Sequence, residues 1–235
     1  MTIIDKAREF LQSEADREVF HEHKVKGLLR ELGMRVPKGV FVPDGAGISS
    51  IVGLSYPLAA KVVSSRITAK SDIGGVRLGI QNGEELQRAV QELAKIDNAE
   101  GVLVEEMAPQ GFEVIVGGAI DISFGPIVMF GLGGLFVELF RDVSFALAPV
   151  TREQARWLVH ETKGEKILKG FRGKPPLDID AIVTIIVTVS ELIATGLFRA
   201  IDLNPVALYH SGALVLDAKM SRRQEPVPLF PHHLF

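Results

Sequence analysis

The 235-residue chain contains no cysteine. Disulfides, thiolate metal sites and a cysteine nucleophile are therefore excluded together. Asparagine is almost as scarce, with Asn82, Asn98 and Asn204 the whole complement. So few thermolabile side chains point to a hot environment. There is no large charge imbalance either. Twenty-six basic residues against twenty-nine acidic ones leave a net charge of −3, which argues against nucleic acid as a partner held by bulk charge. The longest apolar run, Ala181 to Ile193, is interrupted by Thr184, Thr188, Ser190 and Glu191. It falls short of the roughly twenty residues that a membrane span needs. The N-terminus carries Asp5, Lys6, Arg8 and Glu9 and does not read as a secretory leader. The expectation is a soluble, cytoplasmic chain with no membrane partner. Two phosphate-binding signatures are also missing: neither G-x-x-x-x-G-K-[ST] nor G-x-G-x-x-G occurs.

What is present is an ordinary globular balance, 47% apolar and 23% charged, in a length suited to one large domain or two small lobes. Val25, Leu28, Leu29 and Leu32 fall at helical spacing ahead of a stop at Gly33. The first thirty-odd residues thus read as helix, broken near Ser13 to Asp16. Strands are expected at Val36–Val42, Leu58–Val63 and Val76–Ile80, with a polar, glycine-bearing loop from Ser64 to Gly75 before the last. An amphipathic helix follows at Glu84–Ile96. A strand-rich stretch then covers Gly101–Met107, Glu113–Ile120, Pro126–Phe130 and residues 137–148. Helices return at Arg152–Glu161 and Ile179–Ala194, and strands at Arg199–Leu208 and Ala213–Ala218 close the pattern. This order suggests an α+β fold with two lobes facing across a cleft.

Three stretches offer chemistry. A tight turn at His210-Ser211 would set Asn204 directly opposite Asp217, with Asp202 on the same face because strand side chains alternate with period two. Three hard oxygen donors without histidine or cysteine suit magnesium; the alternative is the polar outer face of an ordinary hairpin. A three-residue turn would spoil the alignment. Lys61 lies in the apolar run Leu58–Val63 and must find a partner. A nucleotide phosphate would serve, and a snorkelling surface lysine is the alternative. The loop that follows could fold over phosphates through its backbone amides. Finally, Val102 to Pro109 ends in carboxylates and a proline. Such a strand end can offer backbone groups to an adenine edge, with Glu105 and Glu113 placed for ribose or a second magnesium, or simply solvated.

Taken in order, these pieces resemble the ATP-grasp β subunit of ADP-forming acyl-CoA (acetyl-CoA) synthetases, relatives of succinyl-CoA synthetase. The resemblance rests on Lys61-Val62-Val63-Ser64, Lys70-Ser71-Asp72-Ile73-Gly74-Gly75-Val76, Gly101 to Met107, Phe124-Gly125-Pro126, Met129 to Gly134 and Phe171-Arg172-Gly173. The Ile201-Asp202-Leu203-Asn204-Pro205 and Leu216-Asp217-Ala218 segments complete it. It implies a single ATP-grasp unit over 1–235, its two α/β lobes clasping a nucleotide. The first lobe would cover about 20–105 and the second 106–235, with the N-terminal helix packed outside. By the same resemblance Lys61 contacts phosphates, Glu105 and the backbone near Ala108 line the adenine–ribose pocket, and Glu113 stands beside them. Asn204 and Asp217 match magnesium ligands, and Asp202 an acidic position in the same cluster. Gly131, Gly133 and Gly134 would lie near the partner subunit and the phosphoryl path, or simply make a tight turn. ATP or ADP with Mg²⁺, and a CoA-binding α subunit in an α2β2 assembly, are the implied ligands and partner.

One position departs from the family. Where its members read His-Lys-Ser/Thr-Asp, this chain reads Ala69-Lys70-Ser71-Asp72. The histidine resembles a phosphoryl acceptor that relays phosphate between the α subunit and ADP, and alanine offers no nucleophile. Two explanations stand: an engineered His→Ala variant, or a natural chain with direct transfer. Two other functions also remain open, a self-contained ATP-grasp carboxylate–amine ligase and a non-catalytic nucleotide-binding assembly subunit. His21 and His23 lie two apart in a helix, on different faces, which is poor ligand geometry; His160 and His210 read as surface helix and turn residues, and His232 and His233 lie near a terminus.

Overall fold

The computed structural model describes residues 1–43, 47–48, 51–67, 69–134, 142–170, 173 and 175–222. The chain divides into two compact units. One comprises Met1–Phe20, Leu28–Val36 and the chain from Gln110 onward; the other comprises His21–Gly27 and Pro37–Pro109.

The smaller unit is built on a four-stranded antiparallel sheet in the order β1-β4-β2-β3. Its strands are β1 (Gly39–Pro43), β2 (Leu58–Val63), β3 (Val76–Ile80) and β4 (Gly101–Glu106). Helix α3 (Gly83–Leu93) starts at Asn82, whose side chain accepts the Glu85 amide, and buries Leu86, Ala89, Val90 and Leu93. These residues meet Leu58, Ala60, Val102 and Val104 in one apolar cluster. The opposite face of the sheet carries charge. Ala59 pairs with Glu105 and Lys61 with Leu103, so alternation puts Lys61 and Glu105 on the same face. The first turns of helix α2 (Glu22–Glu31) supply the groups that meet them.

The larger unit holds α1 (Ile3–Ser13) and a six-stranded sheet. Its strands β5 (Phe112–Asp121), β6 (Gly125–Leu132), β7 (Val143–Leu147), β8 (Phe198–Leu208) and β10 (Ala218–Arg222) run β10-β8-β5-β6-β7, with β9 (Ala213–Val215) also on β8. Helices α4 (Arg152–His160), the single turn α5 (Glu165–Leu168) and α6 (Ile179–Ala194) follow β7. Gly118 lets α6 come close to β5: a Cβ there would lie 3.1 Å from Val189 and 3.2 Å from Ile193. Val183, Ile186, Val189 and Ile193 are fully buried, which explains the nearly continuous apolar character of α6.

The α+β expectation holds, and most elements lie within a residue or two of their expected bounds. Two differences have identifiable causes, and one stretch is described only in part. The break between the first two helices runs from Glu14 to His21 rather than ending at Asp16. Residues 18–20 leave the helix to bond the edge of β10, with Phe20 N–H on Met220 O at 3.1 Å and Arg222 N–H on Glu18 O at 2.7 Å. The strand expected over Ala213–Ala218 is two strands, because Pro205 opposite lacks an amide; Leu216 and Asp217 both donate to its carbonyl, at 3.0 and 3.4 Å. Of the strand expected over 137–148, Val143–Leu147 is observed and 137–141 lies outside the described residues, as do Phe171 and Arg172.

Candidate functional site

In the larger unit, the His210-Ser211 turn is a two-residue connection closed by Tyr209 N–H on Gly212 O at 3.0 Å, with Gly212 at φ +83°. Leu208 pairs with Ala213 and Val206 with Val215. Farther along, Leu203 pairs with Ala218 and Asp202 with Lys219. The count is unbroken between them, so Asn204 stands opposite Asp217; its amide donates to the Asp217 carbonyl at 3.2 Å. Asp202 and Asn204 share that face by alternation. Asp202 also pairs with Gly117 across β5, which brings Glu113, two alternations along, to the same side. Asp202 and Asp217 are half-buried, and Asn204 and Glu113 exposed.

The glycines expected near the phosphoryl path line this same face. Gly131 pairs with Ile115. Gly133 donates to the Glu113 carbonyl at 2.8 Å, and a Cβ there would lie 2.8–2.9 Å from Glu113 backbone and Cβ atoms. Gly134 adopts φ +61°. Close approach at Gly133 and left-handed backbone at Gly134 are the reasons these positions are glycine.

The residue types fit a hydrated hard cation. Among the described residues, no group of three or more His, Cys, Asp or Glu side chains is placed to hold a metal. Two carboxylates and an amide on one face could hold magnesium that keeps several waters. Lys219, opposite Asp202, puts a positive charge on the same face.

In the smaller unit Lys61 does find a partner, but it is protein. Its ammonium lies 3.1 Å from Glu22 and 3.0 Å from Glu105. Glu105, read from the sequence as a ribose ligand, is 2% exposed and receives Lys26 on both oxygens at 2.6 and 2.8 Å. Gly39 makes room for it, since a Cβ there would lie 2.7 Å from the Glu105 Cγ. Glu22 also takes Lys26 at 2.7 Å and Lys70 on its other oxygen. Three lysines thus share two glutamates, all five side chains buried. Burial alone would raise the Glu22 carboxyl, yet Lys61, Lys26 and Lys70 outweigh it and hold it well below the usual carboxylate range. Burial pulls Lys26 down, with Glu22 opposing and Lys61 reinforcing.

Sequence reasoning missed Glu22, Lys26 and Lys70. The available signal was a pair of opposite charges, Lys61 and Glu105, each embedded in an apolar strand. His21 and His23 are engaged within the protein: His21 is buried with its Nε2 2.9 Å from Glu100, and the His23 ring stacks on Phe41 at 4.0 Å. Ala69 is exposed in the β2–β3 loop, one residue before buried Lys70. Ala108 is half-buried just beyond β4.

Residues 11–221 match the ATP-grasp domain family. The chain belongs to that family. It is 39% identical over 232 residues to subunit beta of the Pyrococcus furiosus ADP-forming acetate–CoA ligase I, covering 94% of this chain and 99% of that subunit. It is 38% identical over 200 residues to the Archaeoglobus fulgidus ADP-forming acetate–CoA ligase II, of which the match covers 30%. The fold superposes with a TM-score of 0.85, at 37% identity, on a Ca. Korarchaeum cryptofilum acetyl-coenzyme A synthetase 1 in complex with coenzyme A and Ca-AMPCP; the match covers 92% of this chain and all of that one. Another structure of that synthetase, with a TM-score of 0.77 at 38% identity over 92% of this chain and all of that one, holds Mg-AMPPCP, its phosphohistidine segment pointing towards the nucleotide-binding site.

Proposed function

We propose that this chain is the nucleotide-binding β subunit of an ADP-forming acid–CoA ligase, acting with a CoA-binding α subunit in an α2β2 assembly in the cytoplasm. The reaction is acyl-CoA + ADP + phosphate ⇌ carboxylic acid + CoA + ATP, with phosphate carried on a histidine. The observation that supports this most is the register that gathers Asp202, Asn204 and Asp217 on one face, in a chain alike end to end to a ligase β subunit.

Asn204 and Asp217, with Asp202 beside them, would hold Mg²⁺, which when bound neutralises phosphate charge. Lys61 would add its ammonium to the nucleotide phosphates, while Glu105 and the backbone near Ala108 border the adenine–ribose site and Glu113 lies beside them. Preorganised positive charge is the main service a protein gives phosphoryl transfer. Gly131, Gly133 and Gly134 would border the phosphoryl path.

Position 69 is where the relay histidine belongs in this reading. Its alanine favours a second one, a subunit that binds nucleotide without relaying phosphate. The deciding experiment mixes the chain, or an Ala69→His version, with its α partner, Mg²⁺ and γ-labelled ATP. Acid-labile phosphate on β only in the histidine version supports the relay. Equal labelling of α with both versions rules the relay out. Nucleotide binding without transfer in either version favours the non-catalytic reading.

A further inference from the structure

The loop between β2 and β3 is fastened at two points, at Ser65 by Glu100 and at Lys70 by Glu22. Glu100 accepts the Ser65 amide at 2.7 Å and the Ser65 hydroxyl at 2.6 Å, and its other oxygen meets His21. Five residues farther on, the Lys70 ammonium meets Glu22. Glu22 opens helix α2, and His21 directly precedes it. Between the two fastenings Arg66 and Ala69 are exposed and Ile67 is half-buried. Beyond Lys70 the loop closes on itself: Gly74 donates to Ser71 O at 3.1 Å and Gly75 to Lys70 O at 2.7 Å. Gly75 has no room for a side chain, since a Cβ would lie 2.6 Å from Val62 and 2.8 Å from the Lys70 carbonyl.

The loop has little apolar packing to hold its shape, with Ile73 48% exposed and Ile67 half-buried, and such a segment is expected to open on its own. Here a buried ammonium supplies what packing does not. Lys70 is 7% exposed, and releasing it would leave Lys26 and Lys61 against Glu22 and Glu105, two ammonium groups on two carboxylates, so the loop can detach without leaving a buried carboxylate unpaired.

We propose that Glu22 is a positioning residue which, through Lys70, fixes the β2–β3 loop and so presents position 69 in one place for phosphoryl transfer. The inference rests on the reading of position 69 given above. It adds that the presentation is set from the start of helix α2, by a residue that touches no substrate.

The test uses the full chain. Lys70→Met removes only the loop's end of the contact, and Lys70→Arg restores charge and reach. Hydrogen exchange of residues 65–75 is expected to quicken about tenfold in Lys70→Met, with the rest of the unit unchanged, and to return to the parent rate in Lys70→Arg. Trypsin cleavage after Arg66 should follow the same order. Unchanged loop exchange in Lys70→Met overturns the proposal, as does faster exchange across the whole unit, which would make Lys70 a general stabiliser. With the α partner and the Ala69→His background, Lys70→Met is expected to lower kcat with the nucleotide KM unchanged. A loosened loop with unchanged kcat overturns its service to transfer, and the failure then lies in the reading of position 69 rather than in the fastening.

Discussion

Lys26 donates to both carboxylate oxygens of Glu105, at 2.6 and 2.8 Å, between a helix and a strand that share no local sequence. Glu105 is therefore a structural counter-charge as placed here. Glu105→Gln leaves three buried ammonium groups facing Glu22 alone. It is expected to cost about 3–5 kcal/mol, seen as a lower urea midpoint. Unchanged stability with weakened nucleotide binding would leave Glu105 only the nucleotide-site role proposed above.

The hairpin site gives a separable result. Asp217→Ala removes a half-buried carboxylate from a sheet face and should leave the urea midpoint nearly unchanged. Affinity for Mg-ADP is expected to fall at least about tenfold, while ADP without metal binds both forms equally. Titration calorimetry with and without EDTA distinguishes the two, and equal Mg-ADP affinity would remove the metal from this hairpin.

Gly133→Ala tests whether the glycines are steric necessities. The new methyl would meet Glu113 backbone at 2.8–2.9 Å, and backbone cannot rotate away. A loss of about 1–3 kcal/mol is expected. An unaltered melting temperature would show that the β6 exit moves aside freely.

Acid should weaken the smaller unit. Glu22 folds with its carboxyl held well below the ordinary 4.5, so unfolding takes up a proton. Its contribution is complete above 4.5 and is lost as pH falls from there through the folded value. Lys26, shifted downward from 10.5, acts at the other end. Its folded form gives up a proton more easily, so this cost of charging is present below the folded value and disappears as pH rises past 10.5. Urea midpoints taken from about pH 5 to about pH 3 are expected to fall steeply in the parent and more gently in Glu22→Gln. Parallel slopes would mean that Glu22 is not the group titrating.

The ladder around the hairpin was legible because turn length and alternation are local rules. Once His210-Ser211 is the turn, every partner down to Asp202 and Lys219 follows. The helix stop at Gly33 was legible for the same reason: its φ of +86° lets Met34 donate back to Leu29 at 2.9 Å. The partners of Lys61 were not. Strand composition says that a buried lysine needs an anion, but only the tertiary fold decides that Glu22, 39 residues earlier, supplies it. The extended stretch at residues 18–20 is equally hidden, since its hydrogen bonds go to the edge of β10.

The two-residue turn also constrains how this hairpin can diverge among relatives. His210 and Ser211 can be exchanged for other turn formers without moving anything downstream. One inserted residue would send Asp217 to the opposite side of the sheet, whereas two would bring it back. The connection is therefore governed by parity: its sequence can drift, but its length can change only in even steps while Asn204 and Asp217 stay together.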